Sequence, residues 1–251
     1  MSSLDAPIKA MILAAGRGER MRPLTDNCPK PLLQVAGKAL IDWQVEALVR
    51  GGFTGLVVNT AWLGPQISAH FSSVSGLKSN ECVRGQLSFS YSHEADDFGA
   101  ALETAGGIAR ALPLLSEVFW VLAGDVFMPG FEFSQGAAAR FVASGKLAHL
   151  WLVANPAHNP TGDFGLSADG LALNLDADSA VPRFTYSTIG LYRRAFFSSL
   201  PFGNPQGLKA PLAPLLRQAM DNQQVSAELY KGDWTDVGTP ERLHQLNQTT
   251  R

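Results

Sequence analysis

Arg17, Arg20, Arg22 and Lys30 fall within AAGRGERMRPLTDNCPKPL (residues 14–32), directly after the apolar run KAMILA. Cations beside a glycine turn suit a phosphate-rich ligand, because glycine lets backbone N–H groups face an anion with no Cβ in the way. The spacing is not a Walker loop, which ends Gly-Lys-Ser/Thr, and Met21 stands where GxGxxG needs its third glycine. A GxG after a strand is a weak signal alone, equally at home in a bland turn with solvated arginines. Pro29 and Pro31 strengthen it by bracketing Lys30, since proline stiffens its own and the preceding backbone. A lysine on stiff backbone is a well-placed point charge for phosphate.

The carboxylates come from distant segments. Asp125 ends the apolar run VFWVLAG, and Asp236 follows Trp234 just before the last helical pattern. A magnesium ion bridging phosphates needs one or two carboxylates, whereas a single Asp at a strand end is equally a turn or cap residue. His70, His93, His149, His158 and His244 show no HxxH or HExxH spacing, so each reads as a surface or packing histidine.

These groups need a scaffold that gathers strand ends. Apolar runs at 9–15, 55–61, 87–94, 118–125 and 149–156 alternate with helical patterns. The clearest is ALIDWQVEALVRGG, with Ile41, Val45, Leu48 and Val49 on one stripe. Such alternation predicts an α/β, doubly wound, mostly parallel sheet. We expect a single domain over 1–251, with a catalytic sheet over about 9–160 and a substrate-facing portion over about 161–251. After residue 160 the rhythm changes: FGLSADGLALNLD reads as a hairpin around Asp169-Gly170. RFTYSTIGLYRRAFF reads as extended and PLAPLLRQAM as helix. TPERLHQLNQ reads as a helix with Thr239 at its N-cap and Pro240 at N1. Residues 73–86 read as a polar surface loop.

The 251 residues are 46% hydrophobic and carry a formal net charge of −2, with mean hydropathy +0.03. That suffices for a packed core and gives no basic field for nucleic acid or an anionic membrane. Cys28 and Cys82 alone form neither a disulfide framework nor a CxxC metal site. With no apolar run of membrane length and no leader pattern at the start, a cytoplasmic protein is expected.

The stretch MILAAGRGERMRPLTDNCPKPLLQVAGKALI resembles the opening signature of the sugar-1-phosphate nucleotidylyltransferases, and the likeness continues through AGD (123–125), GDF (162–164) and DWTDVGTPERL. Within the family, NTAWLG, LETAGGI, LKAPLAPLLRQAM and DWTDVGT resemble the N-acetylmuramate-1-phosphate uridylyltransferase branch of cell-wall recycling. The resemblance implies a Rossmann-like fold and attack by a sugar 1-phosphate on the α-phosphorus of a nucleoside triphosphate. The expected partners are those two substrates, with no nucleic acid or membrane, in a monomer or small homo-oligomer.

The same resemblance implies residue roles. The backbone from Ala14 and Ala15 through Gly16 to Gly18 cradles the triphosphate, with Glu19, Arg20 and Lys30 on the nucleotide. Arg20, Lys30 and Asp125 are the expected catalytic residues; Asp125 and Asp236 hold Mg2+. Glu103 and Gly106 lie near the base, and Asp163 contacts the sugar. Ser187, beside Thr188, lines the sugar pocket, and Lys209 meets the sugar phosphate. Arg17 and Arg22 are as readily solvated as bound. Ala123 stands where the branch has Asn, ETAGG replaces ETGGG, and EADDFGAALE is a longer loop; these leave sugar and base open. Mannose-1-phosphate guanylyl transfer and an inactive nucleotide-sugar sensor are the alternatives. A dinucleotide oxidoreductase lacks its third glycine and its ribose-binding acid.

Overall fold

A computed structural model describes residues 7–73, 87–176 and 179–250. Most of the 73–86 loop expected from sequence, with Cys82, lies outside the described residues. β1 (Lys9–Ala14) has both faces covered: Ala10, Ile12 and Ala14 pack into one apolar layer and Met11 into another. That is why KAMILA reads as a continuous apolar run and not an alternating one. After the basic loop, the short hairpin of β2 (Gln34–Val35) and β3 (Lys38–Ala39) leads into α1 (Leu40–Arg50). β4 (Gly55–Thr60), α2 (Gly64–Ser73), β5 (Ser88–His93), α3 (Glu94–Phe98) and α4 (Glu103–Ala111) follow.

β6 (Val118–Ala123) splits its side chains as β1 does, with Trp120 and Leu122 in the first layer and Phe119 and Val121 in the second. Next come β7 (Val126–Phe127), α5 (Gln135–Ser144) and β8 (Ala148–Val153). The hairpin of β9 (Phe164–Leu166) and β10 (Ala172–Leu173) turns through Gly170 at φ +76°. β11 (Arg183–Arg193), α6 (Leu212–Asp221), β12 (Val225–Leu229), β13 (Thr235–Asp236) and α7 (Pro240–Thr249) complete the order. Thr239 caps α7, its side chain accepting from the Arg242 N–H.

The main sheet has nine strands, and its central order is β12–β8–β11–β6–β1–β4–β5. β1, β4, β5 and β6 run parallel, as do β8 and β12, while β11 is antiparallel to both β6 and β8. β1 has β4 on one side and β6 on the other, so the carboxyl ends of all three open on one edge where the strand order reverses. Open α/β sheets bind ligands at such a switch point. No described helix is long and apolar enough to cross a membrane.

Candidate active site

A cavity of about 680 Å3 opens at that switch point. Its lining includes Ala14, Ala15 and Gly16 from the end of β1, Lys30, and Ala123 and Asp125 from the end of β6. Gly16 has open space where a Cβ would stand, while Gly18 adopts φ +69° and packs on Thr25. Thr25 fixes this turn by donating its hydroxyl to the Gly18 carbonyl at 2.8 Å.

Lys30 Nζ donates to Asp125 Oδ2 at 2.5 Å. The two residues are 95 apart in sequence, yet both loops have little freedom. Pro29 caps the short helical turn that begins at Lys30. The Gly124 N–H donates to the Leu13 carbonyl at 2.8 Å, and a Cβ on Gly124 would lie 2.9 Å from that oxygen and 3.2 Å from Pro31. Gln44 of α1 closes the turn from the other side, its amide donating to the carbonyls of Ala123 (2.5 Å) and Val126 (2.9 Å). Nothing in the residue pattern of α1 singles out Gln44.

Asp236 arrives through the β13–β7 ladder, where it pairs with Val126, and the Val237 N–H donates to the Asp125 carbonyl at 2.9 Å. The two expected metal ligands therefore lie within one ladder step along the backbone. The Asp236 carboxylate is engaged by Arg242 and by His158 Nε2 at 2.9 Å. His158, expected as a surface or packing residue, thus contacts Asp236, and both lie outside the cavity lining. Among the described residues no group of three or more His, Cys, Asp or Glu is placed to hold a metal ion.

A buried network carries the opposite wall. Glu94, 1% exposed, accepts from Asn59 Nδ2 at 2.6 Å and from the Leu102 N–H at 2.8 Å. Asn59 Oδ1 in turn accepts from the Ala14 N–H at 2.8 Å, tying this wall to the start of the glycine loop. Burial pushes the Glu94 pKa up, against the lowering pull of the Leu102 and Asn59 hydrogen bonds. Gly107 makes room, since a Cβ there would be 2.4 Å from Glu94 Oε1. Asn59 begins the NTAWLG run that carries the branch resemblance, and Glu94 opens the longer EADDFGAALE loop.

The remaining expected residues divide. Glu103 and Asp163 line the cavity, Glu103 at φ +63°. Such backbone is strained for a side-chain residue, and strain of this kind gathers at ligand sites. Asp163 accepts from the Tyr186 N–H (2.8 Å) and Asn159 Nδ2 (3.1 Å). Gly106 is not part of the lining; a Cβ there would meet the Leu208 carbonyl at 2.5 Å, so its role in the fold is close approach of α4 to the 203–210 loop. Ser187 is fully buried. Its neighbour Thr188 lines the cavity instead, because β11 shifts register against β8 between Tyr186 and Gly190 and Thr188 takes φ +67°. Thr188 Oγ1 is buried without a hydrogen-bond partner, a state that a ligand's polar group would relieve.

Lys209 is exposed and lies outside the lining, as do Glu19 and Arg20 on the rim of the glycine loop. Arg20 makes no ion pair among the described residues, whereas Arg17 stacks on Trp62 at 3.7 Å. Arg22 pairs with Asp26 at 2.7 Å. Those two arginines hold the loop's own shape.

The chain matches the nucleotidyl transferase family over residues 9–185. It is 44% identical over 245 residues to an N-acetylmuramate alpha-1-phosphate uridylyltransferase of Neisseria meningitidis serogroup B, covering 95% of this chain and 96% of the relative. A protein of the same description from Caulobacter vibrioides is 32% identical, with 94% of each chain covered. In three dimensions it resembles a Bacillus anthracis protein described as a candidate glucose-1-phosphate thymidylyltransferase, with TM-score 0.74 and 19% identity, covering 97% of this chain and 95% of that one. The family match and the near full-length relatives show that the chain belongs to the nucleotidyl transferase family, among the enzymes that transfer a nucleotidyl group to a sugar 1-phosphate.

Proposed function

We propose that this enzyme transfers the uridylyl group of UTP to N-acetylmuramate 1-phosphate, giving UDP-N-acetylmuramate and pyrophosphate in the recycling of cell-wall sugar. The observation that carries this reading is the 44% identity to the Neisseria uridylyltransferase over nearly the whole of both chains. Mannose-1-phosphate guanyltransferases of Xenopus laevis match only 47% of this chain and 31% of their own length, which favours them less. A cytoplasmic setting and a monomer or small homo-oligomer go with the proposal.

In the reaction an oxygen of the sugar phosphate attacks the α-phosphorus as its bond to the β-phosphate oxygen breaks. The attacking phosphate is already ionised near pH 7, so no general base is required. The task is to align two anions and neutralise them. Backbone groups from Ala14 to Gly18 cradle the triphosphate, and Lys30, aimed by Pro29 and Asp125, meets charge on the transferring phosphoryl group. Arg20, free of an ion pair among the described residues, takes the leaving pyrophosphate. Asp163 and Thr188 orient the sugar.

Asp125 and Asp236 fit a magnesium ion, being hard oxygen donors brought within one ladder step and suited to a cation that keeps waters and phosphate oxygens. When bound, the ion would offset negative charge between the phosphates. Pyrophosphate release, measured over the four nucleoside triphosphates against a panel of sugar 1-phosphates, tests the proposal. UTP with N-acetylmuramate 1-phosphate should give the highest kcat/KM; a preference for GTP with mannose 1-phosphate would overturn it.

A further inference from the structure

Resting on that proposed substrate, we propose that Arg217 is the specificity-determining residue that reads the lactyl carboxylate of N-acetylmuramate 1-phosphate. Lys30 and Arg217 are the described Lys or Arg residues that line the cavity, and Lys30 is already paired with Asp125. Arg217 has no ion pair among the described residues. One nitrogen donates to Asn174 Oδ1 at 2.7 Å, and the guanidinium lies 5.3 Å from the centre of the Phe164 ring. A guanidinium has five N–H donors in a fixed fork that matches a carboxylate, so most of its capacity is unspent.

The group is also held in place. Asp221 accepts from Asn174 Nδ2 at 3.0 Å, which leaves Asn174 Oδ1 turned to Arg217. α6 is anchored by Leu212, Leu216 and Met220, and Arg217 projects from its flank into the lining. Phe164 follows Asp163, the residue proposed to orient the sugar, so cation and sugar-facing acid share one wall. The same cavity carries Glu94, Glu103, Asp125 and Asp163. An acidic sugar entering it meets like charge, which disfavours binding unless a cation answers it. Arg217 supplies that answer, and a neutral N-acetylhexosamine phosphate has no use for it.

The test compares Arg217→Gln, Arg217→Lys and the parent enzyme with UTP. The sugar substrates are N-acetylmuramate 1-phosphate, its lactyl carboxamide and N-acetylglucosamine 1-phosphate. The parent should prefer acid to amide by tenfold or more, and Arg217→Gln should reduce that ratio about 10- to 100-fold, as expected for loss of a charge-assisted contact, chiefly through KM. Turnover of N-acetylglucosamine 1-phosphate should stay within about threefold, and Arg217→Lys should recover part of the ratio. An unchanged ratio in Arg217→Gln overturns the assignment. So does an equal fall on all three substrates, which would put Arg217 on the shared phosphate. If the Gln variant does not fold, the parent decides: equal use of acid and amide refutes the assignment, and a preference that Arg217→Lys narrows supports it. A parent that ignores the acid with UTP but consumes another sugar phosphate defeats the proposed function as well, and so separates the two failures.

Discussion

At the scale of single residues, the contact of Lys30 with Asp125 sets two opposite charges at 2.5 Å. Lys30→Met keeps much of the apolar stem and removes the charge. Asp125 is about one-third exposed, so it can rehydrate, and the loss of stability should stay near 1 kcal/mol. kcat/KM should fall about 100- to 1000-fold, the scale for one preorganised charge contact. Steady-state kinetics beside urea unfolding separate the two; a variant with lowered stability and intact kcat/KM would make Lys30 a structural residue. Glu94 bears on pH. Burial raises its folded pKa above its ordinary value near 4.5, so the native state holds the proton more tightly than the unfolded chain. Its contribution to stability is full below that value and lost as pH rises through the raised one, at up to about 1.4 kcal/mol per pH unit. Subtracting the stability of Glu94→Gln from that of the parent across this window should leave a downward slope. A flat difference would show that Glu94 titrates as it does in the unfolded chain. Glu241 does not confuse the result: hydrogen bonds at the start of α7 lower its pKa, which places its effect below 4.5.

At the scale of elements, the turn between β6 and β7 is where strand, helix and loop agree on one position for Asp125. Gln44 holds both shoulders of that turn while its own Oε1 remains buried without a partner. Gln44→Leu should therefore cost about 1–3 kcal/mol by removing the donor to one buried and one part-buried carbonyl. It should also depress kcat, because the displaced turn carries Asp125. Denaturant midpoint and kcat measured on one preparation check this; a stable variant with full kcat would mean that Gly124 alone sets the turn. The strands of the parallel core were legible in the sequence because burial on both faces leaves an unbroken apolar signature, as in KAMILA and VFWVLA. α7 was legible from its cap. β12 (VSAEL) was not, since its pairing with β8 is a non-local choice, and the antiparallel direction of β11 was hidden for the same reason. The register shift in β11 also explains why a Ser-Thr pair could be singled out while the cavity-lining member is Thr188 and not Ser187. Gly106 and Gly107 read alike in ETAGG; only packing reveals that one accommodates the 203–210 loop and the other Glu94.

At the scale of the molecule, the cavity is lined both from early segments, Ala14 to Asp125, and from later ones, Asp163 to Arg217. Residues near the ends of β1 and β6 line the cavity, and β13 brings Asp236 to β7. The β13–β7 ladder is short, so main-chain pairing alone gives this junction little strength; Arg242 and His158 supplement it by engaging the Asp236 carboxylate. A divalent cation shared by Asp125 and Asp236 would tie the late segment to the sheet more firmly than those contacts. The proposed cation site then predicts a change in stability as well as in rate. A ligand that binds only the folded state stabilises it by RT ln(1 + [L]/Kd), about 2.7 kcal/mol at a hundredfold excess over Kd. Mg2+ added with a non-hydrolysable UTP analogue should raise the melting temperature above that with analogue alone. In Asp125→Asn and Asp236→Asn this increment should vanish, while the shift due to analogue alone persists. Mn2+ in place of Mg2+ gives a second readout, since its electron spin resonance spectrum reports binding without turnover. An increment that survives in Asp236→Asn would remove that residue from the cation site and leave its carboxylate as an anchor for Arg242 and the start of α7.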